Sequence, residues 1–432
     1  MPDGLPVPLV QRRVADPGII TEAVLVFAGP LDPAALRDAA EAVCRAHEAT
    51  RTTVDLDADR QTVHPYTPGA VCFAVCEAGR GGLLATLDER AGRPLDPARL
   101  PVFRVDAVTA SRDRAAVHLA LPHAVADYTS MEIVVGDLVT AYAGLTAGRP
   151  VRLAVPGLFT EHLRHRAALA ADPAVWAPGG KGHRAAEFWA DRLAGAAPPA
   201  FGRPRPGGTG PRTRVLAGTL EPEVSRRLAE VCREARCSPF HAAVAAFAEA
   251  VSAVTGEEDV TTMCVVHGRN DPEYARTVGM FIEEVPFRQR VRAGTRRAFL
   301  SSVAVHAFTG YVHAATPLAL VAGHSPEVAA FASRWLTRGL FLQYRPQRYG
   351  AGLEDAVDGV RLSFPQEAHA MNAAVMPGVA LFSVDHTTDV LTTDFRFDTR
   401  RWLPAEMDRL HTNFLDRLTD YALHPDAPVG PS

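Results

Sequence analysis

The sequence predicts a two-lobe α/β protein, and three observations carry that prediction. A chain of 432 residues and 46.3 kDa is too long for one small core and favours two compact bodies. Helix-spaced and strand-spaced apolar patterns alternate in both halves, which argues against a helical bundle or a β-sandwich. Between them runs Gly195–Arg212, GAAPPAFGRPRPGGTGPR, the clearest linker in the chain. The expected division is residues 1–178 for the first lobe and 179–432 for the second. No short internal repeat is present, so pattern alone does not say whether the lobes share a fold.

Taken in order, the first strand is expected over Glu22–Ala28, closed by Gly29-Pro30. A helix follows with Asp32 as N-cap and Pro33 at its first position; Leu36, Ala39, Ala40, Val43 and Ala46 mark one face. A turn-rich stretch, 55–69, leads to a strand near Val71–Cys76. Over Ala115–Leu121, Val117, Leu119 and Leu121 alternate with Ala116, His118 and Ala120, predicting a strand with one apolar side that ends at Pro122. Met131, Val134, Val135, Leu138 and Tyr142 then place a helix over about Thr129–Ala143. In the second half Ser238 caps a helix begun by Pro239, with Phe240, Val244, Phe247 and Val251 on one face. Strands are expected over Asp259–Val266 and near Val285–Val291, Leu340–Tyr344, Val379–Val384 and Leu391–Phe397, before a last helix, Pro404–Ala422.

Bulk properties exclude several classes. The hydrophobic share is 47 % and the charged share 22 %, values of a folded globular protein. A formal charge of −4 and a pI near 6.5 argue against a nucleic-acid partner. Lys181 is the only lysine, so Schiff-base chemistry would rest on that residue alone. The six cysteines form no CxxC pair, and no His/Cys cluster has zinc spacing; free thiols in a reducing cytoplasm are expected, with no metal site. The N-terminus lacks an apolar signal region, and no stretch reaches the ~18 apolar residues of a membrane span. The expectation is a cytoplasmic monomer.

The chemistry concentrates in Leu121–Ser130, LPHAVADYTS. His123 sits just past a strand end, and Asp127 follows in the turn before a helix. Strand ends are where α/β proteins collect reacting side chains. A neutral imidazole, with an ordinary pKa of about 6.5, can take a proton from an amine or alcohol near neutral pH. A nearby carboxylate can fix the turn by pairing with an Arg or a backbone N–H. Alone, this HxxxD spacing is a weak signal.

Its surroundings strengthen it. The segment resembles the HHxxxDG signature of the condensation-domain superfamily of nonribosomal peptide synthesis, with His123 in place of the second His, Asp127 the Asp and Ser130 a following Ser. Upstream, Arg45-Ala-His47-Glu48-Ala-Thr-Arg51-Thr52 resembles that family's RHxxLRT segment, and Gly92–Asp96 with Pro101–Arg104 its next stretch. Glu187-Phe-Trp189 through Leu193, Gly268-Arg269, Val278–Phe281 with Pro286–Arg288, Gln343-Tyr344 and Asp394–Leu418 follow in the family's order. The resemblance covers about residues 22–422. It implies two chloramphenicol-acetyltransferase-like lobes arranged as a V-shaped pseudo-dimer, with a tunnel between them holding the active site. It implies a transferase that moves an acyl or peptidyl group from a carrier-protein thioester to an amine, or less readily a hydroxyl, in secondary-metabolite (antibiotic) biosynthesis. The partners implied are an acyl or peptidyl carrier protein and a small-molecule acceptor. No cofactor is expected on the chain itself, since phosphopantetheine arrives on the carrier. Because the chain ends near the family's domain boundary, a free-standing enzyme acting in trans is expected.

By the same resemblance His123 is the catalytic residue and Asp127 a structural one held by an Arg, for which Arg269 is the first candidate and Arg51 the second. Tyr128, Ser130, Glu283, Glu284 and Gln343 are substrate-binding candidates. Several positions depart from the family pattern. Pro122 replaces the first His, Thr129 a Trp, and Tyr128 the Gly, where a phenol must point away or narrow the tunnel. Glu283-Glu284 replace Asn-Thr, as a solvated acidic turn or as a site for a cationic acceptor. Two rival readings stand beside the enzyme: a catalytically silent module that recruits a tailoring enzyme to a carrier-bound peptide, and a coenzyme-A-dependent O- or N-acyltransferase. Gly323-His324-Ser325-Pro326-Glu327 lacks the last Gly of a hydrolase elbow. His306 and His313 read as packed or surface histidines.

Overall fold

The computed structural model describes residues 4–154, 156–203, 213–346, 350–365, 379–386 and 390–430. Among these, the strands in chain order are β1 Ile20–Ala28, β2 Thr52–Asp55, β3 Arg60–Val63, β4 Val71–Glu77, β5 Phe103–Ser111, β6 Arg114–Pro122 and β7 Thr213–Thr219. They continue with β8 Asp259–Val266, β9 Glu283–Arg290, β10 Leu340–Arg345, β11 Arg361–Ser363, β12 Ala380–His386 and β13 Leu391–Asp398. The longer helices are α1 Pro33–Ala46, α2 Gly82–Ala91, α3 Tyr128–Thr146, α4 Phe159–Ala171, α5 Lys181–Arg192, α6 Pro222–Glu234, α7 Pro239–Thr255, α8 Arg296–Ala314, α9 Pro326–Thr337 and α10 Pro404–Leu423.

The backbone groups into two units that interleave in sequence. The first comprises Met1–Leu169, His267–Ile282 and Arg348–Ala374; the second comprises Ala170–Val266, Glu283–Gln347 and Val375–Ser432. The sequence reading placed one boundary, after residue 178, because composition marks linkers but not segments that return to an earlier body.

In the first unit a five-stranded sheet runs in the order β11-β1-β6-β5-β4. Strand β6 is central, antiparallel to β1 and β5. That position changes the reading of its alternation. The side carrying Ala116, His118 and Ala120 was expected to differ from the apolar one, yet every residue from Ala115 to Pro122 is buried. A central strand covered on both faces has no solvent side. The one polar residue inside it, His118, is accommodated by Glu22 on β1, with Nε2 2.8 Å from Oε2. The adjoining helix α1 begins as its residues dictate: Asp32 Oδ1 accepts from Ala34 N and Ala35 N at 2.8 and 3.1 Å, with Pro33 at the first position.

The second unit holds a six-stranded sheet in the order β7-β13-β12-β10-β8-β9. Pairs β8–β10 and β10–β12 are parallel, and the others antiparallel. Helix α7, rich in Ala, Val and Phe, is buried from Ala242 to Val251 and packs chiefly on α10. Ser238 and His241 form its N-terminal capping box, and Gly256, at φ 76°, ends it. Part of the linker expected over 195–212 is packed structure: Ala196 and Phe201 are buried, and Phe201 meets Trp402 edge-on at 5.8 Å. Residues 204–212 of that stretch lie outside the described residues. Among the described residues no single helix is long and apolar enough to cross a membrane, and no cluster of three or more His, Cys, Asp or Glu could hold a metal.

Candidate active site

The site grows from the C-terminal end of β6. Pro122, its last residue, pairs with Ile20, and His123 N donates to Ile19 O at 3.0 Å, which extends the ladder by one bond. A proline at that end breaks no central ladder. The chain then turns through Ala124, Val125 and Ala126, all buried, and returns the Ala126 carbonyl to the imidazole, 2.9 Å from His123 Nδ1. Thr21 Oγ1 lies 3.1 Å from the same nitrogen and donates to Ala126 O at 2.7 Å.

These contacts fix the tautomer. A carbonyl only accepts, so Nδ1 carries the proton and Nε2 keeps its lone pair. Burial pushes the imidazole below its ordinary pKa, partly offset by the Ala126 carbonyl and the charge of Asp127. His123 is therefore neutral at pH 7, with Nε2 ready to accept a proton. Thr21 and Glu22 are consecutive on β1 and face opposite sides of the sheet. His123 and His118 consequently belong to opposite faces.

Asp127 makes no hydrogen bond to His123; it is the hub of a separate buried network. Its carboxylate accepts two bonds from Arg269, Nη1 to Oδ2 at 2.7 Å and Nη2 to Oδ1 at 2.9 Å. Phe281 N donates to Oδ2 at 2.9 Å, and Ser130 N to Oδ1 at 2.8 Å, which caps α3. Ser130 Oγ lies 2.8 Å from Oδ1 and 2.7 Å from Gly279 O, and accepts from Gly279 N at 2.9 Å and Arg269 Nη2 at 2.8 Å. Side-chain exposure is 1 % for Asp127 and 4 % for Arg269. The guanidinium also lies 4.3 Å from the centroid of the Phe281 ring. Gly279 is required by space: a Cβ there would lie 2.4 Å from Cδ2 of Phe159. Thus the segment 267–282 returns to the first unit by docking on Asp127 and Ser130.

The other candidates fall at distinct places. Arg51, the second candidate partner for Asp127, does not reach it; its Nη1 donates to His64 O, tying down the β2–β3 hairpin. Ser130 is fully buried, and its hydroxyl is engaged by Asp127, Arg269 and the backbone of Gly279. Tyr128 is half-buried and is the first residue of α3. Among the described residues, positive φ at non-glycine positions occurs only at Asp59 and Arg236, so the tyrosine meets no left-handed backbone where the family has Gly. Glu283 and Glu284 are not a solvated acidic turn. They open β9, Glu283 buried and Glu284 half-buried. Glu284 pairs with Val265, and Val265 with Gln343 of β10, which pairs with Ser383. Glu284 and Gln343 therefore share one cross-strand row and one sheet face, while Glu283 points to the other.

Several groups escaped the sequence reading. His47 Nε2 lies 2.8 Å from Asp137 Oδ2, and Arg276 Nη2 donates to Asp137 Oδ1 at 2.6 Å. Glu48 Oε1 accepts from Thr160 N at 2.7 Å near the start of α4. Asp106, buried on β5, is met by Arg90, Arg93 and Arg104. The usable signal was a polar residue inside an apolar pattern, as at His118. Ser325 caps α9 and donates to Glu327 Oε2 at 3.0 Å, which accounts for the hydrolase-like string. His324 stacks on Trp176 at 3.6 Å and His313 on Phe188 at 3.9 Å. Lys181 is exposed at the start of α5.

The condensation-domain model matches residues 17–431. The chain belongs to the condensation-domain family. AMB antimetabolite synthetase AmbE of Pseudomonas aeruginosa is 30 % identical over 312 residues, 67 % of this chain and 14 % of that protein. Phosphinothricin tripeptide synthetase PhsB of Streptomyces viridochromogenes is 30 % identical over 290 residues, 64 % of this chain and 23 % of its own. This condensation domain thus spans a small part of the curated relatives it matches. Among solved structures, SgcC5 protein from Streptomyces globisporus has a TM-score of 0.80 at 22 % identity, covering 98 % of this chain and 100 % of that one. The X-domain from teicoplanin biosynthesis has 0.78 at 20 %, covering 99 % and 97 %, and has also been solved as a complex with OxyB, with the same score and identity over 99 % and 95 %. At these identities the likeness is one of fold, the mixed α/β architecture of condensation domains.

Proposed function

We propose that this condensation domain is an acyltransferase that joins an acyl or peptidyl group, held as a carrier-protein thioester, to an amine acceptor with His123 as general base. The observation that carries the reading is the His123 tautomer: Nδ1–H committed to the Ala126 carbonyl, Nε2 bearing a lone pair, the ring neutral at pH 7. The acceptor nitrogen attacks the thioester carbonyl carbon and the C–N bond forms. Its proton passes to Nε2, the C–S bond breaks, and the proton returns to the departing thiolate. A hydroxyl acceptor would follow the same course to an ester. General-base help contributes about 10²–10⁴ in rate, and holding donor and acceptor together can contribute up to ~7–11 kcal/mol. Asp127, with its oxygens committed to Arg269, Ser130 and Phe281, is a positioning residue for the turn that carries His123. Phosphopantetheine would arrive on the carrier.

The second reading is recruitment of a tailoring enzyme to a carrier-bound peptide without catalysis. It is supported by the likeness to the teicoplanin X-domain, solved in complex with OxyB, and by Pro122 and Tyr128 at signature positions. Turnover with an acyl-loaded carrier and a panel of amines and alcohols, followed by intact mass, separates the readings. A product lost by ~10² or more in His123→Ala is expected for the base. Product unaffected by that substitution removes His123 from the chemistry. Turnover of acyl-coenzyme A as fast as that of the loaded carrier favours the coenzyme-A-dependent rival. Carrier binding without product from any pair favours recruitment.

A further inference from the structure

A second polar centre lies wholly within the second unit. Asp191 and Arg192 at the end of α5, Asp259 of β8, Arg288 and Arg290 of β9, Arg292 just beyond it, and Ser302 and His306 of α8 line a cleft of about 470 Å³. That volume lies within the range of small-molecule sites. Strand β9 is at the sheet edge, and its period of two puts Arg288 and Arg290 on one face.

The charges in this cleft do not cancel. Arg288 is fully used: Nε and Nη2 donate to the two oxygens of Asp259 at 2.8 and 2.7 Å, and Nη1 to the carbonyls of Arg192 and Ala194. That leaves Arg192, Arg290 and Arg292 against Asp191, three guanidiniums to one carboxylate and a formal surplus of two positive charges. Arg290 approaches Asp259 only at 3.7 Å and its side chain is 60 % exposed. Arg192 is half-buried and has a backbone carbonyl, Arg288 O at 2.6 Å, as its hydrogen-bond acceptor. Burial and the neighbouring Arg288 cation lower its pKa, against the opposing influence of Asp259 and Asp191. Ser302 adds a hydroxyl. His306 Nδ1 is held 2.9 Å from Gln289 Oε1.

We propose that this cleft binds a dianionic phosphoryl group, held by Arg192, Arg290 and Arg292 with Ser302 at its edge. A phosphate monoester carries about −1.5 to −2 at neutral pH, which matches the surplus, and guanidinium forks match phosphate oxygens in pairs. The site does not depend on the acyl-transfer reading, since none of its residues enters that chemistry.

The experiment is calorimetric titration of the full chain at about 0.15 M salt with phenyl phosphate, with inorganic phosphate and with a hexaglutamate peptide, on wild type, Arg290→Ala and Arg292→Ala. Both arginines are exposed, so the variants should fold, which far-UV circular dichroism checks. Saturable binding of phenyl phosphate, weakened about tenfold or more in each variant, is expected from the loss of one charge-assisted contact. Tighter binding of the ester than of inorganic phosphate assigns the site to a phosphorylated small molecule; equal binding assigns it to free phosphate. No saturable binding of either phosphate, affinities unchanged in both variants, or binding of the peptide alone would overturn the proposal.

Discussion

Removing either member of the Asp127–Arg269 pair should destabilise the first unit severely, and removing both should cost much less than the sum. The two side chains are 1 % and 4 % exposed. Asp127→Ala strands a buried guanidinium whose remaining acceptors are neutral, Ser130 Oγ and the carbonyls of Thr277 and His267. Arg269→Ala strands a carboxylate that keeps Phe281 N and Ser130 N. Breaking a buried pair by deleting one partner costs about 3–5 kcal/mol, of which the lost α3 cap in Asp127→Ala is about 1 kcal/mol. The double variant leaves neither charge behind, so its cost should stay near that of one single, which makes the coupling about as large as the other single, about 3–5 kcal/mol. All four tryptophans belong to the second unit, so tryptophan fluorescence is the wrong probe. Native-state hydrogen exchange at the amides of Val117 and Leu119 in the central strand β6, which is paired with both β1 and β5, reads the first unit directly and should accelerate ~10²-fold or more in each single variant. Single variants costing less than about 1 kcal/mol, or a double variant equal to their sum, would refute the argument that the pair is one electrostatic unit.

Other outcomes follow from the same geometry. With a neutral His123 as base, kcat/KM should rise with pH through a midpoint below 6.5 and level off above it; a midpoint above 6.5 would contradict the lowered pKa. Burial and neighbouring cations push His162 down to about 4. Its folded-state pKa is below the unfolded value, so the unfolded chain binds the extra proton: stability should fall as pH drops from 6.5 to about 4, by about 1–3 kcal/mol allowing for partial exposure, and denaturant midpoints of His162→Phe should lose that slope. Gly279→Ala must push Cβ into Phe159 and should cost about 1–3 kcal/mol, read as a lower thermal midpoint. If a carboxylate takes a cationic acceptor, Glu284→Gln or Glu283→Gln should raise acceptor KM while leaving that of a neutral acceptor unchanged; KM unchanged in both variants ends that idea.

What the residues announced and what they hid divides along physical lines. Helix starts were legible because caps are local: Asp32-Pro33 and Ser238-Pro239 each specify an N-terminus within two residues. Strand β6 was legible as a strand but not as a central one, because coverage of its second face is tertiary information. The family resemblance implied an Arg partner for Asp127 and offered Arg269 or Arg51; the choice depended on a contact 142 residues away, which no local pattern encodes. Strands β2, β3, β5, β7 and β11 passed unnoticed as strands; β3 lies inside the stretch 55–69 read as turn-rich, and β2, β3 and β11, of three or four residues, are too short to carry a periodicity. Within the linker, Pro and Gly were read as freedom, whereas Phe201 packs on Trp402. One aromatic among small residues was the available clue.

The HxxxD spacing invites the idea of a catalytic dyad in which the carboxylate raises the basicity of the imidazole, and the geometry argues against it. Asp127 is spent on Arg269, Ser130 and Phe281, and the hydrogen at His123 Nδ1 goes to a neutral carbonyl. Asp127 acts on the ring only through space, and that influence is smaller than the desolvation opposing it. An imidazole so placed is a weak base held in one tautomer: it suits an acceptor nitrogen whose proton becomes acidic only as the new bond forms, and would serve poorly for ionising an alcohol beforehand. On this reasoning amines should outpace alcohols of similar size in the turnover panel. The larger part of any acceleration must then come from how the two substrates are held, because a weak base alone supplies no more than about 10²–10⁴.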